Sequence, residues 1–574
     1  MRFVREREGG VAVAAPRRRG ARIAVYVAVA CLLAAFAGLY RFNTLGGRFG
    51  GFDNDHFVPF AYAKQMQAGE QPLTDFDGLG LQGAWPSLTY EVSSLAQQWL
   101  GNNLRSDALV TIGGVALAAA LTFAAAASVS SIAWAAPATL VSIFVAPTLY
   151  NYSKVLTFAA FAVAIVAYGR RPGRVTVAVA AVLAAAAFLF RHDYFVYVSV
   201  GMVIACLAAG PLQSGVRHAL LYVGLSAALL APSLVYVQRH EGLLQYFSDS
   251  LVMSRREAER TTLTEWPHFS AVDETGRRLG WSVFGDDGNA VAWLYYGARL
   301  LPFAALVLVL TSTSKDDVRH RRAAVLALAG MSAFAVPFLV RGNVAVRLGD
   351  IGPLCAVLAA FVFHEATRER GTEAIGRRVG RGLAVAVLCV PTALSTMTVG
   401  AVHSQLGVAG MRESLGATVS RSQQLWTYLE DLPASAITGD VQAPFHISHY
   451  LNRCTRPDDR VVMMTYEPEL LPFAGRRFGA GRLSILPNYA LNPRQQQVLV
   501  SRWQRQSVPL VLVEFSEFWD PSSPSAPIVR DYLLARYEMA GSLAVRDDKT
   551  LRVFAERGRT PVSVFGPSGL PCFA

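Results

Sequence analysis

Long apolar segments alternate with short polar ones over the first two thirds of the chain, which predicts a bundle of membrane-spanning helices. The first apolar segment covers residues 23–40. Residues 108–150 are long enough for two spans joined by a turn near Ser128 to Ser131. Further spans are predicted at residues 155–168, 175–190, 195–209, 220–237, 290–310, 323–340, 351–364 and 383–402. We therefore expect about eleven transmembrane helices.

The composition agrees with this pattern. Hydrophobic residues make up 53% and charged residues 16% of the 574-residue chain, whereas soluble domains carry about 25% charged residues. The formal net charge is +12. Because the arginine clusters lie beside apolar segments, this charge favours orientation of the chain in a bilayer. We expect the lipid bilayer as a partner, and no nucleic acid.

The distribution of arginine predicts the topology. Arginines at positions 17–19 and 22 precede the first span, so residues 1–22 are predicted to be cytoplasmic. A cleaved signal peptide is the alternative, but the apolar run has spanning length and lacks a small-x-small cleavage site. Alternation then makes residues 23–402 a multi-pass domain of the plasma (inner) membrane. Its outer loops fall at residues 43–105 and 238–289, and its densest basic loops at 315–322 and 368–381 on the inner side.

The composition changes to that of a soluble domain after about residue 403. Strands are predicted at residues 461–465, 510–513 and 551–554, and helices at 495–506 and 528–538. This alternation predicts a small α/β domain at residues 403–574, on the extracytoplasmic side. The predicted fold class is thus a polytopic α-helical membrane protein with a C-terminal extracytoplasmic α/β domain. Cys454 and Cys572 could pair there, because that compartment is oxidising.

The first outer loop carries the densest group of candidate catalytic side chains. Asp53, Asp55 and His56 follow the first span directly. A carboxylate here is suited to act as a general base toward an acceptor hydroxyl, with His56 beside it to bind substrate. Asp55 also precedes an apolar helical segment and could cap that helix. The two interpretations do not exclude each other.

Two further carboxylates, Asp75 and Asp77, lie in a glycine-rich part of the same loop. They are interpreted either as turn residues or as ligands of acceptor hydroxyls or of a divalent metal. A divalent metal is compatible with them, but no cysteine or histidine spacing resembles a zinc or haem site. We assign no metal ligand and no certain cofactor. The flanking segments, residues 56–67 and 87–100, are amphipathic and are predicted to lie along the membrane interface.

Charged residues at the ends of later spans are candidates for binding a phosphate. Arg191, His192 and Asp193 join two spans with almost no loop, either as a structural ion pair or as a phosphate site. Arg341 and Arg347 are basic residues on the predicted outer side. Arginine makes bidentate bonds to phosphate, and lipid headgroups are the alternative ligand.

These features together resemble the GT-C glycosyltransferase superfamily, in particular its protein mannosyltransferase-like and lipid A aminoarabinose transferase-like members. The resemblance rests on the acidic GFDNDHF segment in a long first outer loop, the many-span body and the extracytoplasmic tail. In the tail, residues 449–462 and the segment EPELLPFAGRR at 467–477 resemble the region after the last span. The chain has no oligosaccharyltransferase-type WWDxG motif, which argues against N-glycan transfer.

The resemblance implies a polyprenyl-phosphate sugar as donor and Asp53 or Asp55 as the catalytic base or acceptor-binding residue. We therefore expect an inverting transfer at the extracytoplasmic face to a glycan, lipid or protein acceptor, in the assembly of cell-envelope glycans or glycoconjugates. Arg191, Arg341 and Arg347 would hold the donor phosphate.

Two other functions remain open from the residues alone. A transporter or flippase of lipid-linked saccharides would place polar residues near the middle of the membrane, whereas here the charged residues cluster at the ends of spans. An envelope scaffold whose tail binds a partner leaves the outer arginine and aspartate groups without a role.

Overall fold

The structure is a computed structural model. It describes residues 16–46, 51–52, 54–78, 88–263, 265–272, 275, 277–311, 318–368, 375–433, 445–486, 491–514, 526–546 and 549–574. Within these ranges only the backbone is described for residues 16–19, 54, 253–254, 256–263, 281–282, 318–320, 341, 375–381, 546 and 567. Asp53, the side chain of Arg341 and parts of the predicted basic segments (1–15, 312–317 and 369–374) therefore lie outside the described residues.

The described residues are mainly helical. The α-helices are α1 (Pro16–Asn43), α2 (Phe57–Gln67), α3 (Leu88–Leu100), α4 (Leu104–Val129), α5 (Ile132–Phe144), α6 (Tyr152–Arg170), α7 (Arg174–Phe190), α8 (His192–Ala208), α9 (Leu212–His240), α10 (Leu243–Leu263), α11 (Asp287–Thr311), α12 (Val318–Ala335), α13 (Val344–Arg347), α14 (Gly352–Thr367), α15 (Ile375–Val399), α16 (Val402–Val408), α17 (Leu415–Asp431), α18 (His446–Cys454), α19 (Leu470–Ala474), α20 (Pro493–Gln504) and α21 (Pro527–Arg536). The β-strands are β1 (Arg460–Met464), β2 (Arg477–Phe478), β3 (Leu510–Val513), β4 (Tyr537–Arg546), β5 (Lys549–Glu556), β6 (Ser563–Phe565) and β7 (Leu570–Cys572).

The membrane body agrees with the predicted pattern of spans. Within the described residues, eight helical segments are long and apolar enough to cross a membrane by length and composition. Three shorter apolar helices, α5, α7 and α8, occupy the remaining predicted spans. α4 ends and α5 begins on either side of Ser130 and Ser131, where a turn was expected. The second outer loop, in contrast, contains a further helix, α10.

Small residues allow the helices of the body to pack closely. Ala125 and Ala126 of α4 share one buried core with Phe158 and Phe161 of α6. Small side chains permit such approach where no aqueous hydrophobic effect drives helix association.

The C-terminal domain is a mixed sheet of order β2-β1-β3-β5-β4. β1 pairs in parallel with β2 and β3, and β5 pairs antiparallel with β3 and β4. Every residue of β3 is buried, as expected for a strand covered on both faces. α20 and α21 cover one face, and α18 and the first outer loop cover the other. The predicted α/β domain and its strands are confirmed.

The first outer loop is clamped between the membrane body and the C-terminal domain. Gln65 donates to the backbone oxygen of Phe478 at 3.0 Å, and Glu70 forms ion pairs with Arg460 and Arg477. α2 is consequently buried on most of its surface. The predicted interface position of residues 56–67 is therefore wrong, because the docked domain covers the side of α2 that was expected to be exposed.

α3 fits the predicted interface position better. Its polar residues Ser93 and Gln97 are buried and donate to the carboxylate of Asp107 at 2.7 and 3.3 Å. Leu95 and Trp99 are exposed, Trp99 to 80%. An exposed apolar face with a tryptophan is the arrangement expected of a helix at the headgroup level of a bilayer.

Candidate active site

The acidic turn of the first outer loop lies where the membrane body meets the C-terminal domain. Asp55 occupies a short 3-10 turn at residues 54–56, immediately before α2. The hydroxyl of Tyr466, in the turn after β1, donates a hydrogen bond to Asp55 Oδ1. The interpretation of Asp55 as a helix cap is wrong, because His56 takes the N-cap position and no side-chain cap bond forms.

Tyr150 lies within electrostatic range of Asp55 and of charged residues of the membrane body. It precedes α6 and interacts electrostatically with Asp55, Asp350 and Arg347. Arg347 ends α13, and Asp350 lies in the 3-10 turn that follows. Arg347 packs against Gly342. A Cβ atom added to Gly342 would lie 2.9 Å from Nε of Arg347. The predicted acid and one predicted arginine thus lie within electrostatic range of the same tyrosine.

Lys154 adds a buried cation that the sequence analysis did not single out. It lies in the first turn of α6, and its Nζ donates to Asp350 Oδ2 at 3.1 Å. Asn151 donates to the other oxygen, Asp350 Oδ1, at 3.0 Å. Both charged side chains are less than one tenth exposed. Removing charges from water is costly unless they are paired, so this ion pair fixes the start of α6 against the turn after α13.

Arg191 and Asp193 form the predicted ion pair. Arg191 Nε and Nη2 each donate to one oxygen of Asp193 at 3.0 Å, in a bidentate arrangement. Lys154 interacts electrostatically with both residues, which links this pair to Asp350. His192 instead faces α10, and its Nε2 is 3.0 Å from the hydroxyl of Tyr246.

Asp75 and Asp77 lie in the turn by which the first outer loop contacts the C-terminal domain. Asp75 Oδ2 accepts from the backbone N–H of Gln71 at 2.9 Å, as expected of a turn residue. Asp77 Oδ1 accepts from the hydroxyl of Tyr62 at 2.8 Å, and Arg502 donates to its backbone oxygen at 2.9 Å. Burial raises the pKa of Asp77 to about 7. Asp75 thus makes the contact expected of a turn residue, whereas the Asp77 carboxylate is bonded to α2.

His56 faces a cavity of about 380 Å³. Its ring stacks on Phe52 with the centroids 4.1 Å apart. A second cavity of about 1060 Å³ lies between the second outer loop and α13, and both cavities reach Ala345. Asp53 and the side chain of Arg341 cannot be placed, because they lie outside the described residues.

The described residues contain no group of three or more His, Cys, Asp or Glu side chains arranged to hold a metal ion. We therefore name no metal ligand in this part of the chain. Carboxylate pairs such as Asp75 and Asp77 are chemically suited to a divalent cation, but their oxygens make the loop contacts described above.

Comparison with known proteins gives structural neighbours only. No family model matches the sequence, and no curated relative matches it. ArnT from Cupriavidus metallidurans, solved with undecaprenyl phosphate, is 13% identical with a TM-score of 0.48, and the match covers 94% of this chain and 98% of ArnT. The Archaeoglobus fulgidus oligosaccharyltransferase in complex with Zn and sulfate is 13% identical with a TM-score of 0.46, covering 91% of this chain and 73% of that one.

A further structure of the archaeal enzyme, AglB with an inhibitory peptide and a dolichol-phosphate, is 12% identical with a TM-score of 0.42, covering 96% of this chain and 76% of that chain. Both neighbours are GT-C glycosyltransferases, the superfamily that the sequence resembles. Similarity at these identities and TM-scores assigns no residue role, substrate or reaction to this chain.

Proposed function

We propose that this chain is a membrane glycosyltransferase that moves a sugar from a polyprenyl-phosphate donor to an acceptor hydroxyl. One observation carries the proposal: Asp55 and Arg347 lie within electrostatic range of the same side chain, Tyr150, and so does Asp350, to which Lys154 donates a hydrogen bond. This transfer needs a carboxylate that accepts a proton and, near it, cations that bind a phosphate.

Asp55 acts as the general base. Its Oδ1 is engaged by Tyr466, and Oδ2 is the oxygen that we assign to the acceptor hydroxyl. As Oδ2 takes the proton, the acceptor oxygen forms a bond to the anomeric carbon. The bond from that carbon to the phosphate oxygen breaks, and its electron pair leaves with the lipid phosphate. A single displacement of this kind inverts the anomeric centre. Asp53 remains the alternative base.

The cations stabilise the leaving phosphate. Arg347 and Asp55 both lie within electrostatic range of Tyr150, and we assign the Arg347 guanidinium to the negative charge that develops on the phosphate. Lys154 and Arg191 extend the positive charge along the ends of α6 and α8. Each of these two cations also has a carboxylate partner, which holds it in place before the donor binds. Arg341, His192, Asp75 and Asp77 remain candidate substrate-binding residues.

The disulfide bond supports an extracytoplasmic site. Cys454 and Cys572 are joined, with their Cα atoms 4.0 Å apart, and structural disulfides persist in oxidising compartments. Because Tyr466 of the same domain contacts Asp55, the domain and the proposed base belong on the same side of the membrane. This is the outer side of the plasma membrane in the predicted topology.

A transporter or flippase is less well supported. Such a protein is expected to hold its polar residues near the middle of the membrane. Here Lys154 lies in the first turn of α6, and the Arg191–Asp193 pair lies between α7 and α8.

Transfer from a defined donor tests the proposal. The full-length protein in proteoliposomes is given a radiolabelled polyprenyl-phosphate sugar, a nucleotide-activated form of the same sugar, and cell-envelope extract as the acceptor source. We expect labelled product and free polyprenyl phosphate from the lipid donor only. Movement of the lipid donor across the bilayer without cleavage of its sugar–phosphate bond would contradict the proposal and favour the flippase.

A further inference from the structure

The cavity beside His56 lies between the end of α1, the segment before α6 and the start of α16. Its volume is about 380 Å³, which falls within the range of about 300–1,000 Å³ typical of small-molecule sites. Residues that line it and can contact a ligand are Arg41, Thr44, His56, Thr148, Ala345 and Gln405. The cavity is therefore large enough for a ligand and has a polar wall.

His56 has hydrogen-bonding capacity that the described residues do not use. The side chain is 2% exposed, yet neither Nδ1 nor Nε2 has a hydrogen-bond partner in the described part of the chain. A buried polar group without a partner is costly and is rare in folded proteins. The stack on Phe52 holds the ring plane in the cavity wall. A buried imidazole without hydrogen-bond partners is expected where a bound ligand supplies those partners.

The neutral state of the imidazole indicates the chemistry of that ligand. Burial lowers the pKa of His56 to about 3, so the ring carries one N–H donor and one lone pair at neutral pH. Hydroxyl groups, which both donate and accept, can satisfy both of these functions. A phosphate or carboxylate oxygen can accept from the ring N–H but offers no donor to the lone pair of the other nitrogen.

The remaining polar wall has the same mixed character. Arg41 Nη2 donates to the backbone oxygen of Pro147 at 3.0 Å, which holds the guanidinium in the wall as a donor. Thr44 Oγ1 donates to the backbone oxygen of Arg41 at 3.0 Å and keeps lone pairs that can accept. Thr148 and Gln405 add a hydroxyl and an amide. Such a wall suits a ligand with several hydroxyl groups.

The cavity adjoins the proposed base on two segments of the chain. His56 directly follows Asp55, and Leu149, another lining residue, directly precedes Tyr150. The cavity therefore lies next to the turn that carries Asp55.

We propose that this cavity is the acceptor subsite and binds a neutral saccharide unit through His56, with one hydroxyl accepting from the ring N–H and another donating to the other ring nitrogen. The proposal rests on the proposed function, since it identifies the acceptor that Asp55 would deprotonate. Ala345 is a further lining residue of this subsite.

Binding of simple glycosides to the full-length protein in detergent tests the subsite without any donor. The probes are the methyl glycosides of glucose, galactose and mannose, with inorganic phosphate as the anionic probe, and the readout is the melting temperature. We expect at least one glycoside to raise it saturably and phosphate to leave it unchanged. His56→Phe preserves the ring stack but removes both nitrogens, and should raise the half-saturating concentration about tenfold or more.

Two further variants make the result specific. Ala345→Leu adds a larger side chain to the cavity lining and should weaken binding as strongly, so it tests the subsite if His56→Phe does not fold. His240→Phe is the matched control, because that imidazole packs on Tyr236 at 4.2 Å outside the cavity, and it should bind like the wild type. The subsite would be overturned if no glycoside gave a saturable rise, or if both cavity variants bound glycoside as tightly as the wild type.

A rise with phosphate that requires His56 would also overturn it, in favour of an anion site. Because the melting temperature does not depend on transfer, loss of glycoside binding would leave the proposed transferase standing. Glycoside binding by a protein that cleaves no lipid donor would contradict the proposed transferase alone.

Discussion

The hydroxyl of Tyr466 donates a hydrogen bond to the carboxylate of Asp55, 411 positions earlier in the chain. Tyr466 belongs to the turn after β1 of the C-terminal domain, whereas Asp55 lies just before α2 in the first outer loop. The C-terminal domain therefore completes the proposed active site, because it fixes the orientation of the base.

Tyr466→Phe tests this positioning role. Loss of a hydrogen bond to a carboxylate corresponds to about 1.5–3 kcal/mol, so we expect kcat to fall about tenfold to one hundredfold with little change in KM. In the Asp55→Asn background the same change should cause no further loss. Tyr450→Phe, which removes a hydroxyl bonded to the backbone oxygen of Pro571 in the same domain, is the control and should retain activity. Additive losses in the double variant would show that Tyr466 acts independently of Asp55.

Arg347→Gln should weaken donor binding. The side chain keeps its length and polarity but loses the positive charge that faces the proposed phosphate. We expect KM for the polyprenyl-phosphate sugar, and the inhibition constant for free polyprenyl phosphate, to rise about tenfold or more. Arg530→Gln changes an arginine of the C-terminal surface, paired with Asp531, and should leave both constants unchanged. Equal constants in Arg347→Gln and wild type would remove Arg347 from the donor site.

Asp77→Asn should change how stability depends on pH. Burial raises the pKa of Asp77 to about 7, so the folded protein binds more protons than the unfolded chain between pH 4 and pH 7. Its stability contribution is present at low pH and is lost as pH rises through that window. Asparagine keeps an acceptor for the Tyr62 hydroxyl and tolerates the positive φ of 53° at this position. We expect the melting temperatures of variant and wild type to agree near pH 4.5 and to diverge in favour of the variant near pH 8. Parallel curves over this range would contradict the burial of an ionisable Asp77.

The disulfide bond predicts both a labelling result and a loss of stability. Protein purified under non-reducing conditions and denatured should react with maleimide at the four free cysteines only. The double variant Cys454→Ala/Cys572→Ala opens a link between residues 118 positions apart, which should destabilise the C-terminal domain by about 2–5 kcal/mol. Cys31→Ala removes a free, exposed cysteine and is the control. Six reactive cysteines would contradict the extracytoplasmic position of the domain.

The spans could be predicted from the sequence because their apolar runs have membrane-spanning length and are separated by short polar segments. The Arg191–Asp193 pair could also be predicted from the sequence, since two ionisable residues between adjacent spans are expected to pair. Lys154 could have been found by the same rule, because it interrupts an apolar run at the start of α6.

Contacts between distant segments could not be predicted. The position of Tyr466 beside Asp55 depends on the docking of the C-terminal domain, which leaves no periodicity or spacing in the sequence. The burial of α2 follows from the same docking. Its run from Phe57 to Ala63 is apolar on all sides of a helix, which is the pattern of a buried helix rather than of an interfacial one. The apolar run therefore indicates burial of α2, but the sequence does not indicate that the C-terminal domain is what covers it.

Sugar transfer by Asp55→Asn, measured beside wild type and the surface control Asp531→Asn at equal expression, tests the central claim most directly. The substitution keeps the shape of the side chain and an acceptor for Tyr466 but removes the basic oxygen. Removal of a general base is expected to lower the rate about 10²- to 10⁴-fold, so transfer from the polyprenyl-phosphate donor should fall by that factor while the melting temperature stays near that of wild type. Wild-type transfer by Asp55→Asn would contradict its role as the base and assign that role to another acid, with Asp53 the first to test.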